Sequence, residues 1–320
     1  MRSSSLVAVA LLAAAATTAG VARAQEAPPV LPSAPGFGVE RLAPSAPGGG
    51  WLVMDQLDLR GPLAGAVDLT LGYASNPLRV GDARLPVVAH QAMLDIGASL
   101  SWWRFRVYLN LASPLALYGE SGAAGGYDFT GSSVNLGNNP DVISDVRFGV
   151  DFRLVGRTGG RFRLGAGAQL YVPTDHKSDY ASDGTFRGAL RLLAAGDARW
   201  LTWAAQLGVH IRPRDDADVP DGPRGSELLF GVAIGGRVPL GRAPWALVLG
   251  PELFGATAFR AFFTRAATAF EGLLTARFEG TAGDRAQLRV RLGAGAGLGS
   301  FGSPEWRLVA GVELFTHNQR

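Results

Sequence analysis

The side chains that could do chemistry in this chain are mostly charged, and they recur two residues apart. In the stretch 143–172, Asp145, Arg147, Asp151 and Arg153 share one parity, and after a turn Arg161, Arg163 and Gln169 share one as well. The same reading elsewhere adds Arg106, Arg187, Arg191, Glu227, Arg237, Glu252, Glu271, Arg277, Arg289 and Arg291. Charges gathered on one surface in this way do one of two things. They ring a water-filled path and select among solutes, or they pair across strands and fill an enclosed interior. With strand directions taken from the loop pattern below, Arg106, Arg153, Arg161, Arg163, Arg237, Arg289 and Arg291 fall toward one end. Asp145, Glu227, Glu252 and Glu271 fall toward the other. A basic inner ring under an acidic mouth predicts a weakly anion-favouring path, and the sequence leaves both readings open.

Other chemistries find less support. His90, His176 and His210 map near one rim, and Asp175, Asp179 and Asp183 share a loop with His176. A general base needs an orienting carboxylate within hydrogen-bond reach, and here proximity is only along the chain. There is no Gly-x-Ser-x-Gly elbow and no His-Glu-x-x-His motif, and no glycine-rich run ends in Lys-Ser/Thr before a helix. The acidic loop fits no calcium-loop template. The reading is therefore not an enzyme, with no cofactor and no metal; an outer-membrane hydrolase is the least favoured alternative.

The elements that must position these residues are strands. In 143–172, Val146, Phe148, Val150, Phe152 and Leu154 oppose the charged parity, and Phe162, Leu164, Ala166, Ala168 and Leu170 do so after Gly156–Gly160. Successive side chains of a strand point to opposite faces, so this is a hairpin with one apolar and one polar surface. Each arm is about as long as a tilted strand needs to cross a bilayer. From residue 36 onward the alternation predicts strands at 37–43, 51–60, 65–75, 88–101, 104–118, 143–155, 161–173, 184–197, 200–212, 226–239, 245–258, 267–279, 286–299 and 305–316. The expected fold is all-β: a transmembrane antiparallel barrel of about 14 strands, or 12 if 37–43 and a neighbour do not span.

The connections support a barrel over a sandwich. Short turns at 60–64, 101–104, 156–160, 196–199, 240–244 and 280–285 alternate with longer polar loops at 44–50, 76–86, 118–142, 174–183, 213–225 and 260–266, and the short final loop at 300–304 is the exception. That is the rhythm of periplasmic turns and external loops. Loop 118–142 is the longest and has the composition of a segment that folds into the mouth or moves at the surface. Trp51, Trp102, Trp103, Phe162, Phe186, Trp200, Trp245, Phe270 and Trp306 sit near predicted strand ends, as girdle aromatics do. Inward parity also carries Gly149, Gly165, Gly167, Gly208, Gly231, Gly293, Gly295, Gly297 and Gly311, small enough to leave room for water or for arginine.

Bulk properties agree. The 320 residues include 44 Gly and no Cys, with a formal net charge of +3. Two of the arginines lie in the leader, so the remainder is near neutral and no basic helix or arm points to nucleic acid. Residues 1–24 read as a secretory signal peptide, with Arg2, an Ala/Leu/Val core and Ala22-Arg23-Ala24 before the cleavage point. Residues 25–35 read as a flexible lead-in, 36–316 as the barrel and 317–320 as a tail. The expected location is the outer membrane, with lipopolysaccharide and phospholipid around the wall and the barrel-assembly machinery as the partner in biogenesis.

The stretches GFGVERLAPSAPGGGWLVMDQLDLRG (36–61), DVRFGVDFRLVG (145–156), LGAGAQLYVPTDHKSDYASDGTFR (164–187), GSELLFGVAIGGRV (225–238) and LVLGPELFG (247–255) resemble the barrel portion of OmpA-family outer-membrane proteins of myxobacterial and related deltaproteobacterial type. The resemblance covers about 36–315 and implies a barrel more than a task. The acidic repeats and peptidoglycan-binding domain that often follow in that family have no counterpart in this sequence, so cell-wall tethering does not carry over. A second resemblance is to transporter-like barrels tied to uptake of aromatic compounds. The functional expectation is thus a structural or porin-like protein passing small polar solutes through an Arg-rich lumen. The alternative is an uptake channel for an apolar or aromatic ligand, which an interior of Arg, Gly, Gln and Asp disfavours.

Overall fold

The computed structural model describes residues 30–138, 142–174, 180–241, 245–282, 285–299 and 302–316. Twelve long strands form the wall: β1 (Ala64–Val80), β2 (Leu85–Trp102), β3 (Phe105–Tyr118), β7 (Val146–Val155), β8 (Arg163–Val172), β9 (Arg187–Asp197), β10 (Leu201–Ile211), β11 (Glu227–Leu240), β12 (Trp245–Ala258), β13 (Thr268–Thr281), β14 (Ala286–Gly297) and β15 (Trp306–Thr316). Each pairs antiparallel with its neighbours in the chain, and β1 pairs with β15 from Ala66↔Phe315 to Ser75↔Trp306, which closes the barrel. Between β3 and β7 lie three short strands, β4 (Gly122–Ala124), β5 (Tyr127–Phe129) and β6 (Ser133–Asn135). β4 and β5 form a small hairpin, and β6 adds to the upper part of β3, where β7 does not reach.

The alternation expected from the sequence is the alternation observed. Phe148, Val150, Leu170, Leu207, Val209, Leu292 and Leu308 are exposed on the outer wall. Arg147, Asp151, Arg163 and Arg291 on the opposite parity are buried inside. Closure leaves no strand edge, so every strand of the wall has a partner on both sides, as hydrocarbon requires. Trp102, Trp103, Phe162, Phe186, Trp200 and Trp306 are exposed near the ends of strands. Trp51 is the exception and is fully buried.

Twelve wall strands, not 14, follow from what happens to the first two predicted ones. Residues 37–43 and 51–60 pair with no strand. The segment 36–60 instead runs down the lumen. Val39 N–H donates to Tyr180 O at the long-loop end (3.1 Å), and Arg60 reaches Gln287 Oε1 at the short-turn end (2.7 Å). Residues 61–63 then lead into β1. The predicted loop at 44–50 therefore lies inside the barrel, and most of the predicted loop 76–86 is strand, because β1 continues to Val80 and β2 begins at Leu85. β1 and β2 thus rise well beyond β7 and β8, by about seven residues or roughly 20 Å of strand.

Two apolar clusters organise the interior. At the long-loop end, Phe37, Val39, Leu78, Val87, Leu117, Phe129, Val134 and Tyr180 form a cap, so loop 118–142 packs over the mouth together with the start of the luminal segment. Deeper down, Leu42, Trp51, Leu52, Val53 and Met54 pack on Ala204, Ala233, Val248, Phe254 and Leu273 of the wall. Inward glycines make this possible. A β-carbon at Gly231 would stand 2.5 Å from Met54 Cε, one at Gly235 2.7 Å from Trp51 Cη2, and one at Gly293 2.4 Å from Leu52 Cδ1. The sequence reading had Gly231 and Gly293 leaving room for water or arginine and did not single out Gly235; the room at all three is taken by the threaded segment. Leu292 lies mid-strand on the outer wall and is 56% exposed. Leu292→Arg is therefore expected to cost about 2–4 kcal/mol of folding free energy in a bilayer refolding titration; an unchanged titration would mean that this face does not meet lipid.

Candidate functional site

An irregular segment inside a barrel has no ladder to satisfy its backbone, so its amides and carbonyls need side-chain partners. The wall supplies them. Glu252 on β12 accepts from three consecutive amides, Leu52 (2.9 Å), Val53 (2.9 Å) and Met54 (3.0 Å), and its Oε1 also accepts from Thr275 Oγ1 (2.8 Å). Glu313 accepts from Gly48 N–H (2.9 Å). Arginines serve the carbonyls: Arg291 reaches Trp51 O (2.8 Å), Arg163 reaches Gln56 O (2.8 Å), Arg147 reaches Pro44 O (2.7 Å) and Arg153 reaches Leu59 O (3.1 Å). Gly48 and Gly50 both have positive φ, +90° and +94°, which allows the tight turn whose Gly49 N–H donates to Ala46 O (2.7 Å).

Carboxylates of the segment complete the arrangement. Asp55 pairs with Arg106, which also holds Asp151 (2.5 Å). Asp151 in turn receives Arg191 (2.9 Å), whose Nη2 also donates to Tyr108 OH, as does Gln169 Nε2 (both 2.8 Å). Asp58 meets Arg289 (3.0 Å), which also reaches Glu313 (2.7 Å) and Glu279 (3.3 Å). Gln56 accepts from Arg277 (2.9 Å), and the Arg277 guanidinium lies 5.2 Å from the Trp51 ring centroid. Arg163 pairs with Asp197 (2.7 Å) and Arg291 with Asp68.

The expected polarity of a basic inner ring and an acidic mouth is not what forms. Asp55, Asp58, Asp151, Glu279 and Glu313 share the lower half with its arginines. In the upper half Arg187 faces Asp145 (2.6 Å), Arg41 faces Glu227 (2.8 Å), and Arg307 bridges Glu271 (2.9 Å) and Glu40 (3.0 Å). Charges pair locally because each one left alone in an enclosed space would go unsolvated. Two assigned residues are not luminal. Arg161 precedes β8 in an exposed turn, and Arg237 is exposed at the short-turn rim, paired with Glu279 (2.6 Å). The sequence reading missed Glu40, Arg41, Asp55, Asp58, Tyr108, Glu279, Arg307 and Glu313. The signal for the first four was present: 37–43 is short for a crossing strand, and Pro44, Pro47 and Gly48–Gly50 break the pattern beside it.

Above this constriction lies a chamber of about 160 Å³, between residues 38–44 of the segment and the upper wall. Its polar lining includes Asp95, Asn110, Ser144, Arg147, Gln206 and His210, and its apolar lining includes Leu42, Val53, Met93, Leu229 and Phe254. His210 is buried here, with Nδ1 3.2 Å from Glu227 Oε2, whereas His90 is exposed and bonds Tyr73 OH through Nδ1 (2.7 Å). His176, Asp175 and Asp179 lie outside the described residues. Among the described residues no three His, Cys, Asp or Glu side chains cluster as a metal site would require.

Asp183, from the loop after β8, ties the cap down. It accepts from Gly38 N–H (2.9 Å) and from Arg212 Nη2 (2.5 Å), and pairs with Arg187 (3.3 Å). Burial pushes its carboxyl up, but the Arg212 and Arg187 guanidiniums outweigh that and hold it well below the usual carboxylate range. A group depressed in this way stabilises the fold above its unfolded pKa and loses that contribution as pH falls toward the folded value.

No protein-family model and no curated protein matches the chain. Among solved structures, an outer-membrane channel from Pseudomonas putida F1 is 11% identical, over 81% of this chain and 97% of that one, with a TM-score of 0.49. The NanC porin is 8% identical over 79% and 100%, with a TM-score of 0.47. A mutant of the TodX monoaromatic hydrocarbon channel is 9% identical over 88% and 98%, with a TM-score of 0.42. Similarity at this level says nothing about what passes through, or binds to, the present barrel.

Two expectations follow from the geometry. Glu252→Ala orphans three buried amides and should lower stability by about 3 kcal/mol or more, while Glu252→Gln, which keeps an acceptor oxygen, should lose less; urea unfolding of the purified barrel compares them. The melting-temperature gap between wild type and Asp183→Asn should be full at neutral pH and shrink as pH drops below about 4. A gap that does not change with pH would mean that ionised Asp183 does not hold the cap.

Proposed function

We propose that the chain is an outer-membrane β-barrel that forms a gated conduit for small polar solutes, closed at rest by its own residues 36–60. The observation that carries this reading is the burial of Arg106, Arg163, Arg277, Arg289 and Arg291, whose exposure is below 2%. Arginines lining an open pore would be wet. A chamber with both polar and apolar lining stands directly above that closed section, and a purely structural barrel has no use for its unpaired polar groups. Buried polar groups cost free energy unless they are matched, so an inert core is better filled with apolar side chains.

The proposal includes export by the 1–24 leader, insertion by the barrel-assembly machinery, and a lipid-facing wall in the outer membrane. It takes from the OmpA-type resemblance the barrel alone. Part of the sequence that carried that resemblance, 36–61, lies in the lumen here and not in the wall. An apolar-ligand channel is disfavoured by the ion pairs of the upper half. A hydrolase is disfavoured too: His210 has its orienting carboxylate, but no nucleophile among the described residues bonds its Nε2, and the pair serves as chamber wall.

The test exploits the absence of native cysteine. A β-carbon on Gly48 would stand 3.8 Å from Ala66 Cβ, a disulfide separation. In planar bilayers the reduced Gly48→Cys/Ala66→Cys variant should open intermittently, the oxidised form should stay closed, and reductant should restore opening. The backbone strain of Cys at a positive φ is common to both forms. Equal conductance in the two forms would remove the gate, and no conductance in either would leave a structural barrel.

A further inference from the structure

The chamber has hydrogen-bonding capacity that the protein does not use. One oxygen of Asp95 receives Asn110 Nδ2 (2.8 Å), and the other has no partner. Arg147 spends Nη2 on Pro44 O and, among the described residues, has no carboxylate within ion-pairing distance. Among the described residues the Gln206 side-chain amide has no hydrogen-bond partner, and neither do Ser144 Oγ and His210 Nε2 on buried side chains of the same wall. Because His210 Nδ1 faces Glu227 and its proton is best placed there, Nε2 is left as an acceptor.

These groups are a mixture of donor (Arg147), acceptors (Asp95, His210) and groups that do both (Ser144, Gln206). An anion would offer only acceptors and would meet Asp95. An ammonium would offer only donors and would meet Arg147. A zwitterion would serve those two and leave the neutral groups unmet. Hydroxyl groups donate and accept, and so match all of them. Apolar side chains of the same lining, Leu229 and Phe254 among them, offer a surface of the kind that receives the C–H face of a ring. The volume of about 160 Å³ has room for on the order of ten waters, or one small ring compound with its hydroxyls.

We propose that the chamber binds an uncharged, polyhydroxylated molecule of monosaccharide size. This rests on the conduit reading, since it names the class of solute that would wait above the gate.

Equilibrium dialysis with the detergent-solubilised full chain tests it, using glucose, galactose and xylose against gluconate, glucosamine and glycine. At least one uncharged sugar should bind saturably and more tightly than any charged probe. Gln206→Leu, which breaks no existing bond, should weaken that binding roughly two- to tenfold, and Asp95→Asn, which can keep the bond from Asn110, by about tenfold. Arg237→Gln at the rim should leave it unchanged. Saturable binding of none of the three sugars, or tighter binding of gluconate, glucosamine or glycine, overturns the proposal, as does indifference to both chamber variants. The assay reads occupancy and not passage. Lost binding with disulfide-sensitive conductance sinks the site alone, and intact binding with disulfide-insensitive conductance sinks the gate alone.

Discussion

The structure depends on one constraint: a stretch of irregular backbone is enclosed inside the barrel with no neighbouring strand to pair it. Every amide and carbonyl of residues 36–60 must then be answered by a side chain of the wall or by a turn of its own. Glu252 answers three amides at once, Glu313 a fourth, and Arg147, Arg153, Arg163 and Arg291 answer carbonyls. Charge-assisted bonds of this kind are stronger than neutral ones. The luminal charges therefore act first as the solvent for a threaded chain.

That role explains features of the wall that otherwise look unrelated. Inward glycines at 231, 235 and 293 mark where Met54, Trp51 and Leu52 press against it. The carboxylates Asp55 and Asp58 enter on the segment itself, bringing counter-charges to Arg106 and Arg289 that the strands do not fully supply. Segment and wall are complementary in volume and in charge, and neither would be satisfied without the other. The outer face is under a separate constraint, met by Leu, Val, Phe and Ala regardless of what fills the inside.

The upper chamber is where complementarity is incomplete. Below it, nearly every ionised group has a protein partner; within it, Arg147, the second oxygen of Asp95, Ser144, Gln206 and His210 keep capacity in reserve. The cap above is closed by apolar packing of Phe37, Val39 and Phe129 and by the Asp183–Arg212 pair. On the gated-conduit reading, a reserve of polar valence between two closures suits a compartment that exchanges its contents in steps. Passage would then require the cap and the constriction to yield in turn.

The wall was legible in the sequence because its code is local. A strand shows its two faces every second residue, and 143–172 displays this without help from the rest of the chain. From β2 to β14 short turns and long loops alternate as expected, whereas 44–50 lies in the lumen and 76–86 is mostly strand, and strand 245–258 ends where it was expected to. On the charged parity Arg147 and Arg163 are buried, and Arg161 and Arg237 are exposed at the rims. What the sequence could not decide was the fate of 37–43 and 51–60. The shortness of 37–43 and the breaks at Pro44, Pro47 and Gly48–Gly50 hint at a luminal segment, but 51–60 alternates at the length of a wall strand. The choice falls only when twelve other strands close without them and leave a lumen of fixed size to fill. Pairing partners across that lumen lie far apart in the chain, 51 residues for Asp55 with Arg106, 200 for Glu252 with Leu52 and 267 for Glu40 with Arg307. No periodicity reports contacts made through space, so the plug, the pairing of the charges and the chamber above them belong to tertiary structure alone.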